Sequence, residues 1–431
     1  MAIKFNSLGT PQILIIRLLL LASTYFIAGR LGLLLPFFGT SITLIWLPTG
    51  IAVAALLRWG NICWPAILAG AFATNLAIGS PPLLAASIAL GNTLGPLLAA
   101  NLLRKLAFHS EFDHVRDILL LGMSAAIGMI VSAGGGVSSL VLFNKLPVAD
   151  VVPAWLSWWA GDFTGVLLAA PLLLNISRAE LTKLWEQRLE FLVWCLVAIA
   201  MGWEVFLINN DANGYSLPLA FIMLPLGVWS AMRFGVMGSS LGLLLPVAIT
   251  TWATSLGLGP FGTTDVRQGL FLLWLFLVTL SLIGLMVVAL QAGRKRAEDR
   301  LKVALQHEAE ALNELRVILN ASGEGFWKID QSGRIVEIND AYCRISGYAR
   351  DEVIGEHISK FEFIEQTPEA AAARMRLIVE RGYDRFETRH RHRDGHLVDI
   401  EVTSSFVAET NCFVVLLRDV TERKRTEVEL Q

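Results

Sequence analysis

Residues 270–296 read Leu270-Phe271-Leu272-Leu273-Trp274-Leu275-Phe276-Leu277-Val278-Thr279-Leu280-Ser281-Leu282-Ile283-Gly284-Leu285-Met286-Val287-Val288-Ala289-Leu290-Gln291-Ala292-Gly293-Arg294-Lys295-Arg296, twenty-four uncharged residues followed by three consecutive cations. At about 1.5 Å per residue, roughly 20 apolar residues cross a bilayer's hydrocarbon core. This stretch therefore predicts a membrane-spanning helix ending at a headgroup boundary. Composition changes at the same place. Residues 1–293 hold 13 Lys/Arg and 11 Asp/Glu, whereas residues 294–431 hold 22 and 26 in less than half the length. Twelve of the 13 Trp lie in the first part, and all seven His lie outside its long apolar runs. Such a step excludes a single soluble globule, a disordered chain and a collagen-like one. A net charge of −2 argues against a nucleic-acid-binding surface. The four cysteines, Cys63, Cys195, Cys343 and Cys412, have no metal or redox spacing.

Working back towards the N-terminus, ten apolar runs are long enough to span: about 13–35, 41–58, 62–79, 82–104, 117–143, 152–176, 189–208, 216–233, 236–256 and 267–292. The first is too long for a signal-peptide core and is followed by further spans. With the N-terminus inside, the inner segments carry twelve cations: Lys4, Arg58, Arg104, Lys105, Arg116, Arg178, Lys183, Arg188, Arg233, Arg294, Lys295 and Arg296. The outer loops carry two, Lys145 and Arg267. By the positive-inside rule both termini are expected in the cytoplasm, whether two pairs of runs fuse to give eight spans or all ten cross. The lipid bilayer is the first expected partner.

Ionisable residues within the runs, away from their terminal positions, are few: Arg17, Arg30, Asp162 and Glu204. Burying a charge in lipid costs about 3 kcal/mol or more, so each is a candidate functional group. Arg17, Arg30 and Glu204 lie near enough to span ends to snorkel into headgroups, and that reading stands beside a ligand-binding one. Asp162 follows Trp155, Trp158 and Trp159. Two readings are open for it: a receptor for a cation or hydroxylated ligand, or a helix N-cap ringed by an aromatic belt.

A set of motifs runs through these spans in order. They are Trp46-Leu47-Pro48-Thr49-Gly50, Trp64-Pro65, Gly70, Asn75, Gly91-Asn92-Thr93, Gly161-Asp162-Phe163-Thr164-Gly165 and Pro171-Leu172-Leu173-Leu174. Together they resemble the first class of membrane-associated sensor (MASE) domains, bacterial integral-membrane input modules usually described with eight spans. The resemblance implies a sensory role in the bacterial inner membrane but carries over no ligand residue. The candidate ligand set read from the chain is Asp162, Trp158, Trp159, Arg30, Glu204, Asn75 and Asn92. Asn75 and Asn92 can also bond between helices, and the glycines can let helices approach closely.

Past Gly293 a charged stretch has no Pro or Gly until Gly323. Leu301, Leu305, Leu312, Leu315 and Leu319 fall on three- and four-residue steps, with Glu308 interrupting. This is a short heptad seam. It predicts either a helix packed on its own downstream domain or a dimeric signal helix. Downstream come two strands joined at Gln331-Ser332-Gly333-Arg334, short helices beginning at Asn339, a helix from Pro368 to Arg381, and a three-strand meander over Asp384–His392, His396–Val407 and Cys412–Asp419. With Asp330, Gly333, Asn339, Tyr342, Gly347-Tyr348, Ile354-Gly355, Arg393-Asp394-Gly395 and Arg418-Asp419-Val420-Thr421-Glu422-Arg423-Lys424, this region resembles a PAS domain.

That resemblance implies a pocket that some members fill with flavin, haem or a small acid, and a tendency to pair as a homodimer. Pocket candidates are Trp327, Asn339 and Tyr342. No cofactor follows: Cys343 lacks the flavin-adduct context, and no His stands on Pro368–Arg381 to ligate haem. The alternating Arg389-His390-Arg391-His392-Arg393 predicts a solvated sheet edge or a dimer and partner contact, with binding of an anionic ligand as the remaining alternative.

The expected fold is thus a polytopic α-helical membrane bundle of eight to ten spans plus a cytoplasmic α+β PAS domain with a five-stranded antiparallel sheet. The expected divisions are a sensor domain at 1–292, a linker helix at 293–320, the PAS domain at 311–423, and the start of a truncated output helix at 424–431. No cyclase loop, acceptor-His helix with ATP boxes, phosphodiesterase stretch, Walker loop or Ser/His/Asp set is present, nor any metal-ligand spacing. The expectation is a sensor that is not itself an enzyme, serving a kinase or cyclase partner. The alternative is a transporter- or channel-like protein with a regulatory PAS tail.

Overall fold

The computed structural model describes residues 11–33, 43–208, 216–262, 265–321, 323–364 and 367–430; Lys4 and the run ends at 34–35 and 41–42 lie outside them. The chain divides into two compact units, Met1–Ala297 and Glu298–Gln431.

The first unit is helical: α1 (Pro11–Gly32), α2 (Leu47–Trp59), α3 (Trp64–Ala77), α4 (Pro82–Lys105), α5 (Val115–Leu142), α6 (Val151–Asn175), α7 (Arg178–Glu186), α8 (Arg188–Trp203), α9 (Ser216–Ala220), α10 (Met223–Ser255) and the first part of α11 (Val266–Ala321). Among the described residues, seven helices are long and apolar enough to cross a membrane, and α2 is a shorter apolar helix. The difference from the ten expected runs has two causes. First, α2 and α3 have only 13 and 14 residues, about 20 Å of helix each.

Second, the stretch containing α10, counted once, folds back on itself. Gly235 has φ +65° and ψ −165°, and a Cβ on Gly227 would sit 3.9 Å from Leu243 Cδ2. Sixteen residues of straight helix would separate those positions by about 24 Å. The two arms are the expected runs 216–233 and 236–256.

Packing follows the logic of a lipid solvent, where both faces of a helix are apolar and side-chain size decides which one packs. On α4 the buried face is mostly small, with Ala85, Ala89, Gly91, Asn92, Gly95, Pro96, Ala99 and Ala100 beside Leu84, Ile88 and Leu103; Leu83, Leu90 and Leu94 face out. The small stripe lets α5 approach so closely that a Cβ on Gly95 would lie 2.9 Å from Ser132 Cβ.

The second unit carries β1 (Gly325–Ile329), β2 (Ile335–Ile338), α12 (Asp340–Ser346), α13 (Arg350–Val353), α14 (Pro368–Arg381), β3 (Tyr383–Arg391), β4 (Leu397–Val407), β5 (Cys412–Asp419) and α15 (Thr421–Glu429). Its antiparallel five-stranded sheet has the order β2-β1-β5-β4-β3, as expected for a PAS domain. Period-two alternation sends Trp327 and Ile329, then Val398, Ile400 and Val402, and Phe413, Val415 and Leu417, to one buried face. Asn339 caps α12 by accepting from Tyr342 N, as its position predicts.

One expectation is corrected on β3. His390 is not on a solvated edge: it is 1% exposed and turned into the core, while Arg389 and Arg391 on the opposite face are exposed. The alternation was right, but it could not say which face covers the sheet's core.

Candidate functional site

The site is built where two glycine-bearing motifs touch. Trp46 N donates to Gly161 O at 3.0 Å, so the start of α2 lies backbone to backbone against α6. A Cβ on Gly50 would fall on the Gly165 carbonyl, and one on Gly165 on the Trp46 carbonyl. Only glycine permits that approach, and the approach sets Thr49 against Asp162. Thr49 Oγ1 donates to Asp162 Oδ1 at 2.5 Å, and Ser132 Oγ of α5 donates to Oδ2 at 2.6 Å. The Trp158 indole, one turn earlier on α6, is a further donor to the carboxylate. Asp162 is fully buried in the middle of α6, so the N-cap reading of it fails. Each hydrogen bond to a charged group contributes about 1.5–3 kcal/mol. Two or three of them offset the cost of holding a carboxylate at this depth.

Around this carboxylate some polar groups remain unspent. The fully buried Tyr25 hydroxyl faces Asp162, Trp46 and Asn92, and among the described residues neither it nor the buried Trp46 Nε1 makes a hydrogen bond of full geometry. A cavity of about 410 Å³ adjoins them, lined among others by Thr43, Trp46, Thr74, Asn75, Asn92 and Trp158 and bounded by Ser80-Pro81 and Lys145-Leu146. Asn75 donates to Ala71 O of its own helix at 2.9 Å, and Asn92 Oδ1 lies 3.1 Å from Ser132 Oγ. Indole, hydroxyl and amide groups thus converge on a space the size of a small-molecule site.

Of the seven candidates, the structure brings together Asp162, Trp158, Asn75 and Asn92. Trp159 points elsewhere, donating to Ala126 O at 2.9 Å and stacking on Phe163. Arg30 donates to Ala77 O at the end of α3 at 3.3 Å, and Glu204 is exposed in the π-helical turn Glu204–Ile208 after α8. Sequence reasoning missed Tyr25, Trp46, Thr49 and Ser132. Tyr25 had a signal, a phenol in the middle of an otherwise apolar run.

The PAS candidates occupy a tighter space. Trp327 lies flat on His390 at 5.2 Å and meets Tyr342 edge-on at 4.7 Å. Burial pushes the Tyr342 phenol well above its ordinary value. His390 Nε2 is 3.2 Å from Glu362 Oε1, and Thr388 Oγ1 donates to Glu362 Oε2 at 2.6 Å. The void they leave, beside Met375, Ile378 and Phe386, is about 50 Å³, room for water but not for a ring system. Asn339 is spent on structure: Oδ1 accepts from Phe326 N and Tyr342 N, and Nδ2 donates to Glu324 O.

The MASE1 family model matches residues 17–294. The chain belongs to the MASE1 family. A PAS domain model matches residues 323–422, so the MASE1 region is followed by a PAS domain. The chain is 26% identical over 426 residues to "Probable diguanylate cyclase DgcE" of Escherichia coli strain K12, covering 96% of this chain and 37% of that protein. It is 33% identical over 139 residues to "Cell-division control histidine kinase PdhS" of Brucella ovis, covering 31% of this chain and 13% of the kinase. The chain therefore spans well under half the length of these relatives. Among solved structures, the PAS domain of an HTR-like protein from Haloarcula marismortui aligns at 25% identity with a TM-score of 0.25, covering 29% of this chain and 98% of that one. A MASE1 bundle joined to a PAS domain is a multi-pass membrane sensor with a signalling module.

Proposed function

We propose that the MASE1 bundle binds a small polar ligand in the cavity beside Asp162. On this reading, occupancy shifts the packing of α2, α5 and α6, and α11 hands the shift to the PAS domain. The observation that carries it is a cavity of about 410 Å³ lined by Trp46, Asn92 and Trp158, next to the buried Asp162 carboxylate and to two buried donors, Tyr25 and Trp46, that lack a hydrogen bond of full geometry among the described residues. A ligand drives such a change only through different affinities for two packings.

The 431 residues act as input and relay without chemistry of their own, and a diguanylate cyclase or histidine kinase supplies the output, as the names of the two relatives suggest. The orientation that fits is the inner membrane with both termini cytoplasmic, supported by the twelve-to-two cation asymmetry of the short loops. A homodimer is supported by Leu301, Leu305, Leu312 and Leu315, each more than half exposed along α11.

The test couples the chain to a diguanylate cyclase module and measures product in cells. Asn75→Leu and Asn92→Leu, which remove the two amides from the cavity lining, should abolish the response to growth conditions while leaving basal output within about twofold. A response that survives both changes removes the cavity from the mechanism. The buried carboxylate also suits the alternative of a transporter- or channel-like bundle with a regulatory PAS tail. Solute uptake into vesicles that Asp162→Asn abolishes would favour that reading.

A further inference from the structure

A second cluster of acids and histidines lies apart from Asp162, in the loop joining α4 to α5. Asp113, His114 and Asp117 bring two carboxylates and an imidazole nitrogen within 4.8 Å of one another. Asp117 stands in the first turn of α5 with its side chain only 1% exposed. Its Oδ1 accepts from His109 N at 3.1 Å, and its buried Oδ2 has no hydrogen-bond partner among the described residues. His114 Nδ1 lies 3.7 Å from that free oxygen, and His109 Nδ1 lies 3.5 Å from Oδ1.

Arg296, on α11 immediately after the apolar span, closes over this cluster. Its Nη1 is 2.7 Å from His114 Nε2 and 3.1 Å from Asp113 Oδ2, and its Nη2 donates to the Asp113 carbonyl.

We propose that Asp113, His114 and Asp117 form a binding site for a divalent transition-metal ion of the zinc class, filled in competition with the Arg296 contact. Two carboxylates and an imidazole are a borderline donor set suited to such ions, and His109 is placed to complete it. The competition follows from charge. The Arg296 guanidinium lies 3.1 Å from Asp113 Oδ2 and rests against the His114 ring, with Nη1 2.7 Å from Nε2 and 3.4 Å from Nδ1, so a metal ion on these ligands meets a cation already in contact with two of them. Metal occupancy therefore weakens the hold of the His114 ring and the Asp113 carboxylate on Arg296, while the Asp113 carbonyl stays an acceptor for Nη2.

A rival cluster, His392, Asp394 and His396, sits on the exposed β3–β4 turn. There Asp394 Oδ1 already receives both imidazoles, at 2.9 and 2.5 Å, with no unpartnered buried atom.

The test uses the full chain in detergent, tag-free and carrying His392→Ala and His396→Ala, titrated with Zn²⁺ against a chromophoric chelator and with Co²⁺ by absorption. One equivalent should bind. Asp117→Asn should weaken binding at least tenfold. His114→Ala, at a half-exposed position, should do the same without disturbing a buried group. Arg296→Gln should tighten binding several-fold. No stoichiometric binding in the double-alanine chain, or binding indifferent to both Asp117→Asn and His114→Ala, overturns the site. Binding indifferent to Arg296→Gln overturns the competition.

Discussion

The two units handle a buried acid in opposite ways. In the bundle, Asp162 is held by Thr49, Ser132 and Trp158, and Trp158 with Trp46 and Asn92 lines a cavity of about 410 Å³, with the buried donors of Tyr25 and Trp46 beside it. In the PAS domain, Glu362 is closed off by His390 and Thr388 beside a void of about 50 Å³. The difference lies in what surrounds each charge. A sheet packed on aromatic rings fills its own interior, whereas α3, α4 and α6 meet with a space between them near Ser80-Pro81 and Lys145-Leu146. The first arrangement suits a rigid relay and the second a receptor. Energetically, the acid in the PAS domain is a packing device whose loss is felt as instability. The acid in the bundle has both oxygens engaged by Thr49 and Ser132, so what stays unspent lies in the donors around it, Tyr25 and Trp46.

The largest test of this contrast is on the bundle's scaffold. Gly165→Leu drives a side chain into the Trp46 carbonyl and should cost about 3 kcal/mol or more, seen as loss of the folded monodisperse species in detergent. Gly134→Leu, where an added Cβ meets nothing within 4 Å, should elute unchanged. If the two variants behave alike, the α2–α6 contact that positions Thr49 is not the organising one.

Next, removing a ring should hurt the filled interior more than removing an amide hurts the open one. Trp327→Ala should cost about 3–5 kcal/mol, read as loss of hydrogen-exchange protection across β1 to β5 in the full chain. Asn75→Ala, which gives up one bond within its own helix, should cost no more than about 1 kcal/mol by detergent thermal melting. Glu362→Ala falls between. It leaves His390 and Thr388 without their acceptor, and about 1–3 kcal/mol should be lost from the same exchange protection. Equal costs for Asn75→Ala and Glu362→Ala would erase the distinction between open and filled interiors.

How far these interiors were legible depends on what each pattern can encode. Apolar run length located the helices, and period-two alternation located the PAS strands, because both are one-dimensional properties of the chain. The turn at Gly235 was visible only as a gap between two runs. The partners of Asp162 were not legible for a physical reason. A hydroxyl in a membrane helix can always bond its own backbone, as Thr74 does to Gly70 O and Thr93 to Ala89 O, both within 2.8 Å. Nothing in the local sequence marks Thr49 and Ser132 as the ones that reach across instead. His390 was hidden likewise, since alternation pairs it with His392 but leaves open which face is inside.

The smallest effect lies at the turn between β1 and β2, where the local sequence was most informative. Asp330 Oδ1 accepts from Ser332 N at 2.8 Å, Ser332 Oγ at 2.7 Å and Arg334 N at 2.9 Å, which orders the chain through Gly333 at φ +80°. Partial burial pushes the Asp330 carboxyl up, but donation from the Ser332 hydroxyl and from the backbone of Arg334 and Ser332, with the Arg334 charge, outweighs it and holds the group below the ordinary carboxylate value. A depressed native pKa means the stabilisation is fully present above the unfolded-state value of about 3.9 and is lost as pH falls through the folded-state value. Asp330→Ala should therefore cost about 1 kcal/mol at pH 7, the scale of one partly exposed hydrogen-bonded turn. The gap between wild type and variant, measured as denaturant midpoint by exchange on β1 and β2, should close as the pH drops below about 4. A gap that stays constant down to pH 3 would mean that the turn is held by Gly333 alone and that the carboxylate contributes nothing as a charge.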